Sequence, residues 1–307
     1  MGVTIEPAAD AADPDLDRPQ WVKSIPFIAV HVVALAAPFL VPPTWRLVGL
    51  AAAVYAVCMF GITAGFHRYF SHRAFRTGRA FQFLLALLGT LSVQKGVLWW
   101  AAHHRDHHRF SDGEKDVHSP VQRGFWWSHI GWILAARYDR TRMDRVKDLA
   151  RFPELVFLDR FGMLVPAVFA VALFALGGLP ALLWGFFIPV VVAWHVTFSI
   201  NSVAHVLGSR RYPTADESRN NPLLALLTFG EGWHNNHHFY ASTANQGWFW
   251  WELDLSYLAL RGLAVTGLVW DLRTPPPHIR AGRLPAGRRP LQEDGAAGRE
   301  VGVEHAL

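Results

Sequence analysis

The chain has 307 residues, is 51% apolar with 14 Trp and 21 Phe, and has a mean hydropathy of +0.16, above the usual value for a soluble domain and in keeping with a protein that meets lipid. Its single cysteine, Cys58, lies inside an apolar run, which excludes an internal disulfide framework and a zinc ribbon. The net charge of +5 comes from basic residues scattered between apolar runs rather than gathered into a stripe, which argues against nucleic acid as a partner.

In chain order, residues 1–22 are acidic and lack the basic start and apolar core of a signal peptide, so they read as a disordered tail. A membrane domain is expected over 23–273. Four apolar runs approach the roughly 20 residues that a helix needs to cross a bilayer: Ile25 to Val41, Trp45 to Phe66, Phe161 to Leu176 and Leu179 to Ile200. Pro42, Pro43 and Thr44 join the first two, and Gly177, Gly178 and Pro180 join the last two. Turns this tight make each pair a helical hairpin, so the expected fold is all-α, with four transmembrane helices in two hairpins. The open ends of both hairpins carry the arginines and lysines, including Lys23, Arg68, Arg73, Arg137 and Arg151. By the positive-inside rule these ends, both termini and the active site are expected to be cytoplasmic. The run from 81 to 100 contains Gln94 and Lys95, and a full crossing there would separate the histidines that follow from the others, so it reads as interfacial. Residues 274–307, rich in Pro, Gly and Arg, read as a second disordered tail. The Ala, Arg, Leu and Gly bias fits a high-GC bacterium, and hence its plasma membrane.

The sharpest signal is histidine. Ten of the 16 fall in four groups: His67 and His72; His103, His104, His107 and His108; His205; and His234, His237 and His238. Random placement would give a HisXXHisHis pattern about 0.04 times in such a chain, and it occurs twice. On a helix, positions i, i+3 and i+4 share a face, so His104, His107 and His108 are expected to converge on one centre, and His234, His237 and His238 on one centre likewise. Asn201 and His205 are i, i+4 at the end of the fourth span and can point the same way. His67 and His72, about 140° apart on an ideal helix, should address different metals or sit where the helix changes course. Imidazole without thiolate suits Zn, Cu, Ni or Fe, and eight or nine ligands exceed what one zinc can use, whereas a pair of irons fits the count. Ligating imidazoles need acceptors at their second nitrogen. Asp106, Asp112, Asp116 and Glu231 lie near the ligands in sequence, and His103 is a further neighbour off their face. Trp126 and Trp127 could line an apolar tunnel or form an interfacial belt.

The segments GITAGFHRYFSHR (61–73), HHRDHHRFSDGEKDVHSP (103–120), NSVAH (201–205) and GEGWHNNHH (230–238) closely resemble the membrane fatty-acid desaturases of the stearoyl-CoA type, over roughly Pro26 to Arg273. That resemblance implies four transmembrane helices under a cytoplasmic helical cap carrying a di-iron site, with O2 as co-substrate. It implies nine ligands, His67, His72, His104, His107, His108, His205, His234, His237 and His238, with Asn201 acting through water. It also places Tyr55 at the methyl end of an acyl tunnel, with Met59 one turn nearer the metals, and implies delta-9 desaturation of an acyl-CoA or another acyl ester. Members that bind acyl-CoA tend to carry Arg-Asp just before the first HisXXHisHis, where this chain has Ala102 and His103, so a lipid or carrier-protein ester stays open. With no HisProGlyGly haem signature, electrons are expected from a separate ferredoxin or cytochrome b5-like protein with its reductase. A di-iron hydroxylase on the same scaffold is the alternative reading. A histidine-rich metal transporter is more remote, because the histidines gather at one end of the spans.

Overall fold

A computed structural model describes residues 14–283. The first hairpin is α1 (Trp21–Leu40) and α2 (Trp45–Phe60). Thr44 starts α2 by accepting the Leu47 N–H on its hydroxyl, which satisfies one of the amides left free in a first turn. α2 then continues without a break as a π-helix, Gly61–Ser71, so one unbroken rod covers Trp45–Ser71. Two features make this extension possible. Gly61 and Gly65 lie against the backbone of the next helix, α3 (Arg79–Thr90), where a Cβ on Gly61 would come within 2.3 Å of the Leu88 carbonyl carbon. In return Gly89 of α3 leaves room for the Phe66 ring.

The run from 81 to 100 does not form one helix. α3 ends at Thr90 and α4 (Val97–Phe110) begins seven residues on, across a loop in which Val93 and Lys95 take φ of 57° and 65°. At 12 residues α3 spans about 18 Å, short of a crossing. Asp159, at the end of α5 (Pro153–Arg160), fixes the start of α4 by accepting the Trp99 N–H at 2.9 Å. Gly96 is required there because a Cβ would sit 2.2 Å from the Asp159 carboxylate.

The second hairpin begins at Leu164, after a turn through Phe161–Met163, three residues later than the apolar run begins. Leu164–His205 is continuous and apolar over 42 residues, twice the length of one crossing. Within Leu164–Leu182 (α6) the chain kinks at Gly178, at φ 64° and ψ −159°, so that the last residues of α6 already belong to a returning arm that continues through a π turn (Leu183–Phe187) into α7 (Ile188–Ser202). Phe169 and Leu173 of α6 pack against Phe186 and Val190 of the returning arm, while Val54, Cys58 and Met59 of α2 meet Ala193 of α7. The outer faces carry exposed Phe39, Val171 and Leu176, an apolar belt suited to lipid. All-α architecture with membrane-length hairpins is therefore what the chain adopts, and among the described residues the only sheet is a two-residue antiparallel pair, Arg76–Thr77 with Val269–Trp270.

The cap is formed by α3, α4, α5, the loops after them, α8 (His234–Phe239) and α9 (Leu255–Val265). Both expected tails are shorter than the composition implies. Asp17 accepts from Arg137 at 2.6 Å and Gln20 N–H bonds Leu134 O at 3.0 Å, so residues 14–20 are docked on the cap. At the other end Pro277–Arg280 forms a helical turn whose Ile279 is fully buried against Tyr212. The remainder of both tails, 1–13 and 284–307, lies outside the described residues.

Candidate metal centre

The nine histidines come together in two adjoining groups. His67, His72, His104, His108 and His237 form one, and His107, His205, His234 and His238 the other; in each group one ring nitrogen per residue lies within 4.8 Å of all the rest. The groups touch where the His108 and His238 rings stack at 4.5 Å.

Helix geometry sets this grouping, and it departs from the sequence expectation for the two trios. Each HisXXHisHis trio was expected to serve one centre, yet each straddles two. On an α-helix i and i+4 are about 40° apart, whereas i+3 falls about 60° to the other side. His104 and His108 therefore share the first group while His107 turns to the second, and His234 and His238 share the second while His237 turns to the first. For His67 and His72, where different metals or a change in the course of the helix were the alternatives, the helix changes, and both face the same group. The π-helix explains it: the His72 N–H bonds the His67 carbonyl five residues back at 3.2 Å, and in this wider helix a spacing of five overshoots a full turn far less than the roughly 140° of an α-helix.

Carboxylates hold the outer nitrogens. The Nδ1 of His67 lies 2.6 Å from Glu231, that of His107 2.9 Å from Asp116, that of His205 2.8 Å from Asp112, and that of His238 2.7 Å from Asp216. Asp216 was missed in the sequence because it is 22 residues from its partner; its one local mark is an Asx turn, in which it also accepts the Ser218 N–H. Asp106, expected in this role, instead pairs with Arg142 and Arg145, on the face of α4 turned away from the rings. His103 also faces away, with Nδ1 2.9 Å from Trp99 O and its ring against Trp99 and Trp132.

Electrostatics follow the geometry. Burial alone would raise the Asp112, Asp116, Asp216 and Glu231 carboxyls, but hydrogen bonds and charge from their histidine partners, with Arg68 added at Glu231, hold all four below the usual carboxylate range. Burial, and then the neighbouring imidazoles, push His104, His108, His234 and His237 well below their ordinary value, so these rings are neutral. Arg68, fully buried next to His67, binds Glu231 on one side and both oxygens of Asp254 on the other, at 2.9–3.0 Å.

The residues fit a metal pair. Where a carboxylate fixes the proton on Nδ1, Nε2 carries a lone pair, and the buried Nε2 atoms of His107 and His238 have no hydrogen-bond partner among the described residues. Elsewhere Nε2 atoms face one another: His67 and His237 at 3.0 Å, His108 and His237 at 2.9 Å, His72 and His104 at 2.8 Å, His205 and His234 at 3.1 Å. Nitrogens about 2.1 Å from a common ion and at right angles would be about 3.0 Å apart.

A cavity of about 650 Å³ runs from the protein surface to this centre, ending at Trp100, His103, His104 and His118 with Asn201 on its wall. The residues expected along a tunnel lie off its lining. Tyr55 donates to Leu227 O at 2.5 Å, Met59 is packed in the α2–α7 seam, Trp126 is exposed, and Trp127 Nε1 bonds Val117 O at 3.3 Å. His118 is buried with its ring 4.3 Å from that of His107. The other intramembrane histidines satisfy one another: His31 meets His195 at 3.1 Å, and His195 meets His129 at 3.1 Å.

Fold and site together define a helical membrane protein in which nine buried histidines, in two groups suited to holding metal, gather at the inner end of an apolar cavity. Residues 43–271 match the family described as fatty acid desaturase. The chain is 39% identical over 269 residues to the sn-1 stearoyl-lipid 9-desaturase of Synechocystis sp., covering 86% of this chain and 84% of that one. It is 40% identical over 257 residues to delta-9 acyl-lipid desaturase 1 of Arabidopsis thaliana (83% of each chain), and 38% identical over 252 residues to the palmitoyl-monogalactosyldiacylglycerol delta-7 desaturase of the same plant (81% of this chain, 67% of that one). The protein belongs to the fatty acid desaturase family, and is an oxidoreductase of lipid metabolism.

Proposed function

We propose that this protein introduces a double bond at the delta-9 position of an acyl chain esterified in a membrane glycerolipid, using O2 and two irons. The observation that carries the reading is the pair of adjoining groups of buried imidazoles whose ring nitrogens converge at the inner end of an apolar cavity. His67, His72, His104, His108 and His237 would hold one ion and His107, His205, His234 and His238 the other, with Asn201 as a water-bridged position. Bound there, the irons would supply the O2-dependent oxidation that removes hydrogen from unactivated methylenes.

The chain's own residues supply the rest. Asp112, Asp116, Asp216 and Glu231 keep the proton on each Nδ1 and so keep Nε2 available. The apolar cavity wall, with Phe27, Val30, Trp194 and Phe198, excludes water and aligns the chain. The balance is loss of two hydrogens from the chain and reduction of O2 to two waters, with two further electrons and two protons. The electrons would come from a separate ferredoxin or cytochrome b5-like donor. A lipid ester is favoured over acyl-CoA by the names of the relatives and by Ala102 and His103 standing where acyl-CoA relatives carry Arg-Asp.

Expression in a host without its own desaturase, followed by mass spectrometry of intact lipids, tests this. Loss of two hydrogens at C9–C10 on glycerolipids is expected. Gain of one oxygen would establish the hydroxylase instead, and new double bonds confined to the acyl-CoA pool would overturn the lipid assignment.

A further inference from the structure

The cavity that ends at His104 begins at a rim of two unlike halves. Phe161, Met163 and Leu164, at the start of α6, form one half; Met163 is 65% and Leu164 50% exposed, at the level where the apolar belt begins. Lys23 near the start of α1, Lys95 in the strained loop before α4 and Asp139 form the other. One carboxylate serves both ammonium groups: Lys95 Nζ lies 2.6 Å from Asp139 Oδ1 and Lys23 Nζ 3.2 Å from Oδ2. All three side chains remain more than a third exposed, so this cluster of three holds a solvent-accessible surplus of one positive charge. Inward from it, Gln94 donates to Thr197 Oγ1 at 3.2 Å, and both line the cavity; the rest of the wall is largely aromatic and aliphatic, with Asn201 near the end at Trp100, His103, His104 and His118.

A ligand matching this sequence of surfaces has an anion at the interface, polar ester oxygens next, and a long apolar chain reaching inward. We infer that Lys23 and Lys95 form a binding site for the phosphate of an anionic glycerophospholipid, whose acyl chain enters the cavity from the bilayer between α1 and α6. Asp139 acts as the counter-ion that the phosphate displaces, keeping the two lysines in place when no lipid is bound. This inference rests on the lipid-desaturase reading above, and adds to it the headgroup class and the route of entry. A free phosphate or the phosphates of CoA offer the same anion without the bilayer anchor.

The test uses the full chain in nanodiscs made with phosphatidylglycerol or with a galactolipid, both in an inert matrix, plus an electron donor; acyl-CoA is supplied in a third arm. For phosphatidylglycerol, Lys23→Gln and Lys95→Gln should each raise the mole fraction needed for half-maximal turnover about fivefold, with the maximal rate kept, as expected for loss of one interfacial cation. Asp139→Asn should lower that mole fraction, an opposite change that simple loss of structure would not produce. None of the three should shift the value for the galactolipid. Equal effects on both lipids, no effect on either, or turnover of acyl-CoA alone would overturn the headgroup site. Absence of a double bond in every arm with the unaltered chain would instead refute the desaturase reading itself.

Discussion

Gly61→Ala puts one methyl group at the point where the site depends on a backbone contact. The new Cβ would lie 2.3 Å from the Leu88 carbonyl carbon and 2.4 Å from the Gly89 nitrogen. Ordinary contact begins at 3.4 Å, so α2 and α3 must separate by about 1 Å, and the obstacle is backbone that no rotamer change can clear. His67 and His72 lie one and two π turns beyond Gly61, so the displacement is carried to the five-histidine group. The four-histidine group is built from α4, the 3-10 turn Val203–His205 that follows α7, and α8, none of which contains Gly61 or its α3 contact. A 1 Å misplacement near a reacting centre can lower the rate about 100-fold. The expected result is protein that still enters the membrane, retains roughly one metal of two and turns over about 100-fold more slowly. Metal analysis and turnover per folded molecule check this. A Gly61→Ala protein with full metal content and normal turnover would show that the close packing of π segment and α3 does not set the site.

Asp216→Asn keeps an acceptor for the Ser218 N–H but removes the carboxylate from His238, and should weaken metal retention against a chelator about 10- to 100-fold; unchanged retention would deny Asp216 its role. Arg68→Leu leaves Glu231 and Asp254 buried without their cation and should cost about 3–5 kcal/mol, seen as a large fall in the thermal midpoint in detergent. Arg68→Lys should recover only part of it, because one ammonium cannot bridge both carboxylates. Burial favours the neutral form of Asp148, but Arg105 and Arg73 outweigh it and hold the carboxyl down to about 2. With the folded value depressed, the clip stabilises fully above the unfolded value of about 4 and is lost as pH falls from there toward about 2. The midpoint difference between the wild type and Asp148→Asn should therefore be constant from pH 8 to 5, fall to about half by pH 3 and close only near pH 2; a difference that stays at its full size at pH 3 would contradict the assignment.

The parts of the molecule legible in the sequence were those governed by local pattern. Pro42–Pro43 and Gly177–Gly178 mark the hairpin turns because they interrupt apolar runs, and the histidine motifs stand out because their spacing is improbable by chance. What local pattern does not carry is the identity of the helix. The spacing of His67 and His72 reads as divergent on 3.6 residues per turn, and convergent only once Gly61 and Gly65 let α3 press close to a widened helix. Nor does proximity in sequence give proximity in space. Asp106 lies between two ligands yet turns to Arg142 and Arg145, while Asp216 comes from a distant loop to hold His238. The rim charges Lys23, Lys95 and Asp139 come from three separate segments, and only the folded cap brings them to one opening.

Two metal ions among the nine histidines are what every role assigned above requires, and iron content with X-ray absorption on purified, active protein measures them. Two irons per chain, each surrounded mainly by imidazole nitrogen, is the expected result. Active protein without iron, or with one tetrahedral zinc, would contradict it.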